Sequence, residues 1–350
     1  MKKVTIRDVA REAGVSVTLV SFVMNAKMGP DGRLDCPVNP DTAQRVLQVA
    51  KRLGYRRNNA AASLRSGRTH SIAVIVSDIA NPFFAEICRN IENIAYKDGF
   101  TVIFASSEEN PQKLAHLVET MVGYSVEGLI VAPCIGAEAA LARAVNIGIP
   151  TVLIDRNMPG EDFGRVLVDN IDAGKVAAKY LIHQGFGKVE MITYKSGVNS
   201  LTDRETGYEM AMEEAGLKDE VRIHKIEYEA EAAKKDVIEI FRDAAKRGVE
   251  AFILPTKRIA MYGFNALNVL GLNLPKDFSF VSFDESDVYE LNKPVVPHVI
   301  QPLSEIASRS FALLQNMIEG KVSEEEKTSL LKVKLVLGGR FGGESTEASF

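Results

Sequence analysis

From Ser71 onward, apolar runs of strand length alternate with amphipathic stretches of helical length, and this alternation restricts the fold more than any other feature. Ile72-Ala73-Val74-Ile75-Val76 contains no polar residue. Such a strand must be covered on both faces, which requires a parallel sheet with helices on either side. The pattern predicts a helix over 82–97 closed by Gly99, strands at 101–104, 128–132 and 151–154, and helices beginning near Pro111 and Glu138. A second series has strands near 166–168, 189–193, 223–228, 252–254 and 280–283, with helices such as 173–183 and 204–215. Two half-sheets of this kind make two Rossmann-like α/β subdomains, whose ligands sit beyond the carboxyl ends of the strands.

The first seventy residues are different. Thr5-Ile6-Arg7-Asp8 forms a capping box. Ile6, Val9, Ala10 and Ala13 then make an apolar stripe, and Gly14 permits a left-handed exit. Ser16 caps a second helix over 17–25, with Val20, Val23 and Met24 facing inward. Two short helices joined by Ala13-Gly14-Val15 read as a helix-turn-helix, whose second helix normally enters the DNA major groove. A polar loop over 26–38 follows, with Gly29-Pro30-Asp31-Gly32 at its tip. Asn39 and Pro40 then start a third helix that packs through Val46, Leu47, Ala50 and Leu53 and stops at Gly54. The basic, alanine-rich stretch 55–68 reads as a short helix ordered only by DNA.

Charge is divided the same way. The net charge of −4 over 350 residues argues against a polyanion-binding protein, but residues 1–70 carry 13 Lys and Arg against 5 Asp and Glu, a balance of +8. The remaining 280 residues therefore carry −12. A basic head on an acidic body suits a protein that meets a polyanion at one end. The scattered Cys36, Cys88 and Cys134 fit neither a disulfide framework nor a zinc site. The five histidines lack metal spacing, and no run of about 18 apolar residues occurs that could span a membrane. These features imply a soluble cytoplasmic protein. Without a GxSxG elbow, phosphate loop or metal motif, they imply no enzyme and no cofactor.

Val4-Thr5-Ile6-x-Asp8-Val9-Ala10-x-x-Ala13-Gly14-Val15-Ser16, then Val20-Ser21-x-Val23-x-Asn25, Gly54-Tyr55, Asn58 and Ser63-Leu64-Arg65, resemble the lactose-repressor-like (LacI/GalR) family of transcription regulators. The resemblance continues through Asp78-Ile79-x-Asn81-Pro82-Phe83-Phe84, Asp155-Arg156, Arg204-x-x-Gly207-Tyr208, Asp284-Glu285 and Gln301-Pro302-Leu303, which are similar to the family's periplasmic-binding-protein-like core.

This resemblance implies an all-α helix-turn-helix head over 1–57, a hinge helix and linker over 58–70, and an effector-binding, dimerising α/β core over 71–350. Within the core it implies an N-subdomain of about 71–165 and 302–328 and a C-subdomain of about 166–301 and 329–350. Val17, Thr18 and Phe22 would face base edges, and Thr5, Ser16, Ser21 and Asn25 would touch phosphates. Leu64 would wedge into the central base step beside Asn58 and Ala61. Asp155, Arg204 and Asp284 would hold the effector, with Phe83 and Phe84 near it. Phe22 either reads bases or packs partly against the first helix, and one of the adjacent Phe83 and Phe84 commonly enters the core.

Four departures from the family pattern matter. Phe22 stands where arginine is usual, Arg57 replaces the proline before the hinge, and the loop ahead of Val38 is about eight residues longer, bringing Lys27 and Arg33 toward either solvent or DNA. Thr256-Lys257 replaces Asn-Asp, and Lys257 favours an anionic effector such as a sugar phosphate. The expectation is a homodimeric, sequence-specific repressor that binds a palindromic double-stranded DNA operator under allosteric control by a small carbohydrate-like effector in the cleft. The alternative is a DNA-binding regulator whose core responds to a protein partner or a sugar phosphate. The C-terminal residues lack leucine heptads, so a dimer rather than a coiled-coil tetramer is expected.

Overall fold

The computed structural model describes residues 4–26, 34–55, 68–160, 162–292, 294–337 and 347–348. The chain divides into two compact units, Met1–Thr69 and His70–Phe350.

Among its described residues the first unit has three helices, α1 (Ile6–Ala13), α2 (Val17–Asn25) and α3 (Pro40–Leu53). The capping box forms as the sequence predicts: Thr5 donates through both its amide and its hydroxyl to Asp8, at 3.0 and 2.7 Å. Gly14, at φ 63°, turns the chain out of α1, and Ser16 accepts from the Leu19 amide to start α2. Val9, Val20, Val23, Val46 and Val49 form a small core between the helices. Leu47, expected in that core, is exposed instead. The inward stripe of α3 runs through Ala43, Val46, Val49 and Ala50, and Leu47 lies at its edge. Arg52 of α3 ties the bundle to Glu12 of α1 at 2.7 Å.

The second unit starts with β1 (Ser71–Val76), α4 (Pro82–Lys97), β2 (Thr101–Ser106), α5 (Pro111–Gly123), β3 (Leu129–Val131), α6 (Glu138–Asn146), β4 (Thr151–Ile154) and β5 (Gly164–Val168). It continues through α7 (Asn170–His183), β6 (Val189–Tyr194), α8 (Asn199–Glu214), β7 (Arg222–Ile226), α9 (Ala230–Arg247), β8 (Ala251–Leu254), α10 (Lys257–Leu270) and β9 (Ser279–Phe283). The remaining elements are α11 (Asp287–Leu291), β10 (His298–Ile300), α12 (Leu303–Ile318), β11 (Thr328–Leu331), β12 (Lys334–Val336) and β13 (Glu347–Ala348).

The strands form two sheets, one in the order β11-β5-β4-β3-β1-β2 and one in the order β13-β12-β10-β9-β8-β6-β7. The first is wholly parallel, and the second is parallel apart from the pairings of β12 with β10 and β13. Helices cover both faces of each sheet, which accounts for the uninterrupted burial of Ile72 to Val76.

Two subdomain boundaries move. The strand read as opening the second series, β5, lies in the first sheet with Val166 opposite Ile154 of β4. Strand β11 pairs in parallel with β5 through Thr328 to Leu331, so the first subdomain reclaims those residues too. The chain therefore passes between the sheets three times, after Val168, after Ile300 and after Leu331.

Helices α7 and α8 cross at very close range. A Cβ on Gly174 would lie 2.0 Å from the Arg204 carbonyl oxygen, and one on Gly207 would lie 1.9 Å from that of Ile171. Only residues without a side chain allow this approach. It seats the Tyr208 hydroxyl between the Val189 carbonyl, to which it donates at 2.7 Å, and the Arg222 amide, from which it accepts at 3.1 Å.

Candidate functional site

In the head, α2 turns Val17, Thr18, Ser21, Phe22 and Asn25 to one side at helical spacing, while Val20 and Val23 are buried on the other. Phe22 is 50% exposed and Val17 41%, so Phe22 points outward and is not packed away against α1. The Asn25 amide donates to the Ser21 hydroxyl at 3.0 Å, and Thr5 and Ser16 occupy the caps of α1 and α2. Asn58, Ala61 and Leu64, and the loop residues Lys27 and Arg33, lie outside the described residues.

In the core, the carboxyl ends of strands from both sheets open on one cavity of about 470 Å³. The first sheet contributes Ser77 after β1, Glu109 after β2 and Asp155 after β4, and the second contributes Asp284 after β9. Arg204 enters from α8 and Lys257 from the start of α10. Phe83 and Phe84 both line the cavity from α4, edge to face with ring centroids 4.9 Å apart. Phe84 is rooted in the core of the first subdomain, and Phe83 is only half-buried.

The three carboxylates lining this cavity share a backbone feature. Glu109, Asp155 and Asp284 have φ of 56°, 63° and 63°, in the left-handed region that costs an ordinary L-residue about 1 kcal/mol or more. Side chains held at such a cost in a cavity point to function rather than to packing.

Arg204 is buried, with its guanidinium 4.3 Å from the centre of the Phe283 ring. Its Nε donates to Asn170 Oδ1 at 2.8 Å and its Nη1 to the Pro255 carbonyl at 2.5 Å, and the residue lines the cavity. Although Asp155 and Asp284 both influence it electrostatically, neither is within ion-pair distance of it among the described residues. Burial pulls Arg204 below its ordinary value, opposed by those two carboxylates. The same burial pushes Asp155 up against the pull of Arg156 and Arg204, and pushes Asp284 up against Arg204 and a 2.7 Å hydrogen bond from Gln301 Nε2.

Residues outside the sequence-predicted set complete the wall. Arg156 donates bidentately to Glu109 at 2.7 Å through each of its Nη atoms, and its Nε reaches Asp155 at 3.2 Å. The buried Tyr194 hydroxyl, Ser196 hydroxyl and Gln301 Oε1 border the cavity without a hydrogen-bond partner. Such atoms are available to hydrogen-bond a polar ligand. Lys257 makes no ion pair among the described residues, while Thr256 Oγ1 caps α10 by accepting from the Ile259 amide at 3.2 Å.

The sequence pattern puts Arg204 at a helix start, where the dipole disfavours a cation. It is instead the sixth residue of α8, which begins at Asn199, so the objection from the helix dipole disappears. Among the described residues, no group of three or more His, Cys, Asp or Glu side chains could hold a metal ion, and no helix is long and apolar enough to cross a membrane.

Comparison with known proteins agrees with this geometry. Residues 5–58 match the pattern for bacterial regulatory proteins of the lacI family, and residues 72–321 match a periplasmic binding protein domain. The HTH-type transcriptional regulator DegA of Bacillus subtilis is 30% identical over 332 residues, 94% of this chain and 95% of its own. A putative ribose operon repressor from Burkholderia thailandensis superposes with a TM-score of 0.69 at 30% identity, over 77% of this chain and 99% of that one. The transcriptional regulator CelR in complex with cellobiose superposes with a TM-score of 0.68 at 25% identity, over 96% of this chain and all of its own. The chain belongs to the lacI family of bacterial regulatory proteins.

Proposed function

We propose that this DNA-binding transcriptional regulator is a cytoplasmic, homodimeric repressor of a palindromic operator, and that a small carbohydrate in the core cavity controls it. The observation that carries the reading is the gap between Arg204 and the two carboxylates at φ 63°, Asp155 and Asp284. A sugar hydroxyl donates and accepts at once, so one placed there can accept from the guanidinium while donating to a carboxylate. Phe83, which lines the cavity, would cover an apolar ring face. The unpartnered Tyr194, Ser196 and Gln301 atoms provide further polar contacts.

Asp155 and Asp284 belong to different subdomains, joined by three crossings of the chain. A ligand bridging them favours one subdomain arrangement. If DNA favours one arrangement as well, the two ligands are linked reciprocally. In the head, Thr5, Ser16, Ser21 and Asn25 would meet phosphates and Val17, Thr18 and Phe22 would meet bases, with Asn58, Ala61 and Leu64 following in the hinge. Cellobiose bound to the relative CelR supports the carbohydrate class.

Lys257 favours a second reading within the same cavity. As a cation with no ion-pair partner among the described residues, it suits the phosphate of a sugar phosphate. Thermal denaturation of the purified protein with a panel of free sugars and sugar phosphates tests both readings, because a cavity ligand raises the melting temperature by mass action. Stabilisation by a sugar, lost in Arg204→Met, supports the proposal; no stabilisation across the panel contradicts it.

A further inference from the structure

The exposed face of α2 carries no ionisable side chain. Its nine residues, Val-Thr-Leu-Val-Ser-Phe-Val-Met-Asn, include no Lys, Arg, Asp or Glu. The outward residues Val17, Thr18, Ser21, Phe22 and Asn25 span roughly 140° of the helix circumference at 3.6 residues per turn. The two largest of them, Val17 and Phe22, flank the face as exposed apolar groups. The Asn25 amide already donates to Ser21, which occupies part of the polar capacity between them.

We infer that α2 reads thymine methyl groups, with Phe22 and Val17 as the specificity-determining residues, and that it makes no charge-assisted guanine contact. The inference rests on the DNA-binding reading of the head and adds what kind of base edge that head selects. In the major groove, guanine is read chiefly by a bidentate cation, and thymine alone among the four bases carries an apolar group, the C5 methyl. A helix with no cation on its exposed face cannot make the first contact. The second buries apolar surface on both partners and gives Phe22 a reason to remain half exposed on a small helical unit. The basic residues elsewhere in the head supply the phosphate attraction that α2 itself lacks. Attraction and base choice are thereby assigned to different residues.

The test uses the full-length protein and needs no prior operator. Duplexes recovered from a random library are remade with single thymines replaced by deoxyuracil, which removes only the methyl group, and affinity is measured by fluorescence anisotropy. Each half-site is expected to contain at least one thymine whose replacement weakens binding about fourfold, the loss expected for one buried methyl. In Phe22→Ala that sensitivity disappears at the thymine under Phe22. Phe22→Arg shifts the recovered half-site toward guanine by about tenfold. Wild-type binding unchanged by every uracil, or sensitivity that persists undiminished in both Phe22→Ala and Val17→Ala, overturns the inference while leaving DNA binding intact. Absence of salt-sensitive binding to any duplex overturns the DNA-binding reading and this inference with it.

Discussion

Replacing Gly207 by alanine sets two well-known effects against each other, and the crossing of α7 and α8 decides between them. In an isolated helix the substitution is favourable by about 1 kcal/mol, because glycine leaves more backbone freedom to be lost on folding. In this protein the new Cβ would lie 1.9 Å from the Ile171 carbonyl oxygen and 2.7 Å from the Lys175 amide nitrogen. Both are backbone atoms, so no side-chain rotation relieves the clash and the helices must part by more than an ångström. Parting them loosens a shared core that includes Ala173, Ala177 and Ala178 on α7 and Tyr208, Ala211 and Met212 on α8. Overpacking of this kind costs about 1 to 3 kcal/mol, and more where the backbone has to move. With the helical gain subtracted, Gly207→Ala is expected to lose about 2 kcal/mol. For a unit of this size that lowers the melting temperature by roughly 3 to 4 °C. The Arg204 carbonyl faces Gly174 across the same crossing, so sugar affinity should fall with stability. Thermal denaturation followed by circular dichroism measures the first effect and ligand-induced stabilisation the second. A melting temperature equal to or above that of the wild type would refute the close crossing as the reason for this glycine.

Two further substitutions probe buried charge. Burial alone would raise Glu190, but hydrogen bonds from Arg247 and His224 hold it down at about 2. A depressed carboxylate stabilises the fold above its unfolded value of 4.5 and loses that contribution as pH falls toward 2. Glu190→Gln should therefore cost about 3 kcal/mol at pH 7 and progressively less between pH 4.5 and 2, as read from urea unfolding at each pH. A cost independent of pH would contradict this assignment. Asp284 has the opposite sign: burial raises it, so ionisation burdens the folded state increasingly as pH rises above the unfolded value. Asp284→Asn is expected to leave the ligand-free protein at least as stable at pH 8 while weakening sugar binding more than tenfold by calorimetry. Marked destabilisation at pH 8 would mean that Asp284 is a structural partner of Arg204 rather than a ligand-binding carboxylate.

The features legible in the sequence are those set by local periodicity. Ile72 to Val76 announces a doubly covered strand because every side chain in it is buried, and Ser16 and Asn39 announce helix starts because their side chains cap the amides that follow. Sheet membership is not local. Nothing in Gly164–Val168 records that its partner is β4 and not β6, and the short strands β10, β11 and β12 depend on pairings across long stretches of chain. The sequence pattern starts α8 five residues late because Val198 provides no side-chain cap and its first turn, Asn199-Ser200-Leu201-Thr202, lacks a helical apolar stripe. The cavity acids Asp155 and Asp284 were visible as polar residues at strand ends, whereas the bidentate Glu109–Arg156 pair joins residues 47 apart and had no sequence signal. Gly207 was visible as part of a motif, but its role depends on another helix reaching within contact distance.

Occupancy of the core cavity is expected to change affinity for DNA. The most direct measurement is the dissociation constant of the full-length protein for a library-selected duplex, by fluorescence anisotropy, with and without the sugar that raises the melting temperature most. A change of about fivefold or more, the usual lower range of an allosteric coupling, is expected in wild type and none in Arg204→Met. A sugar that binds the cavity while DNA affinity stays the same would contradict it.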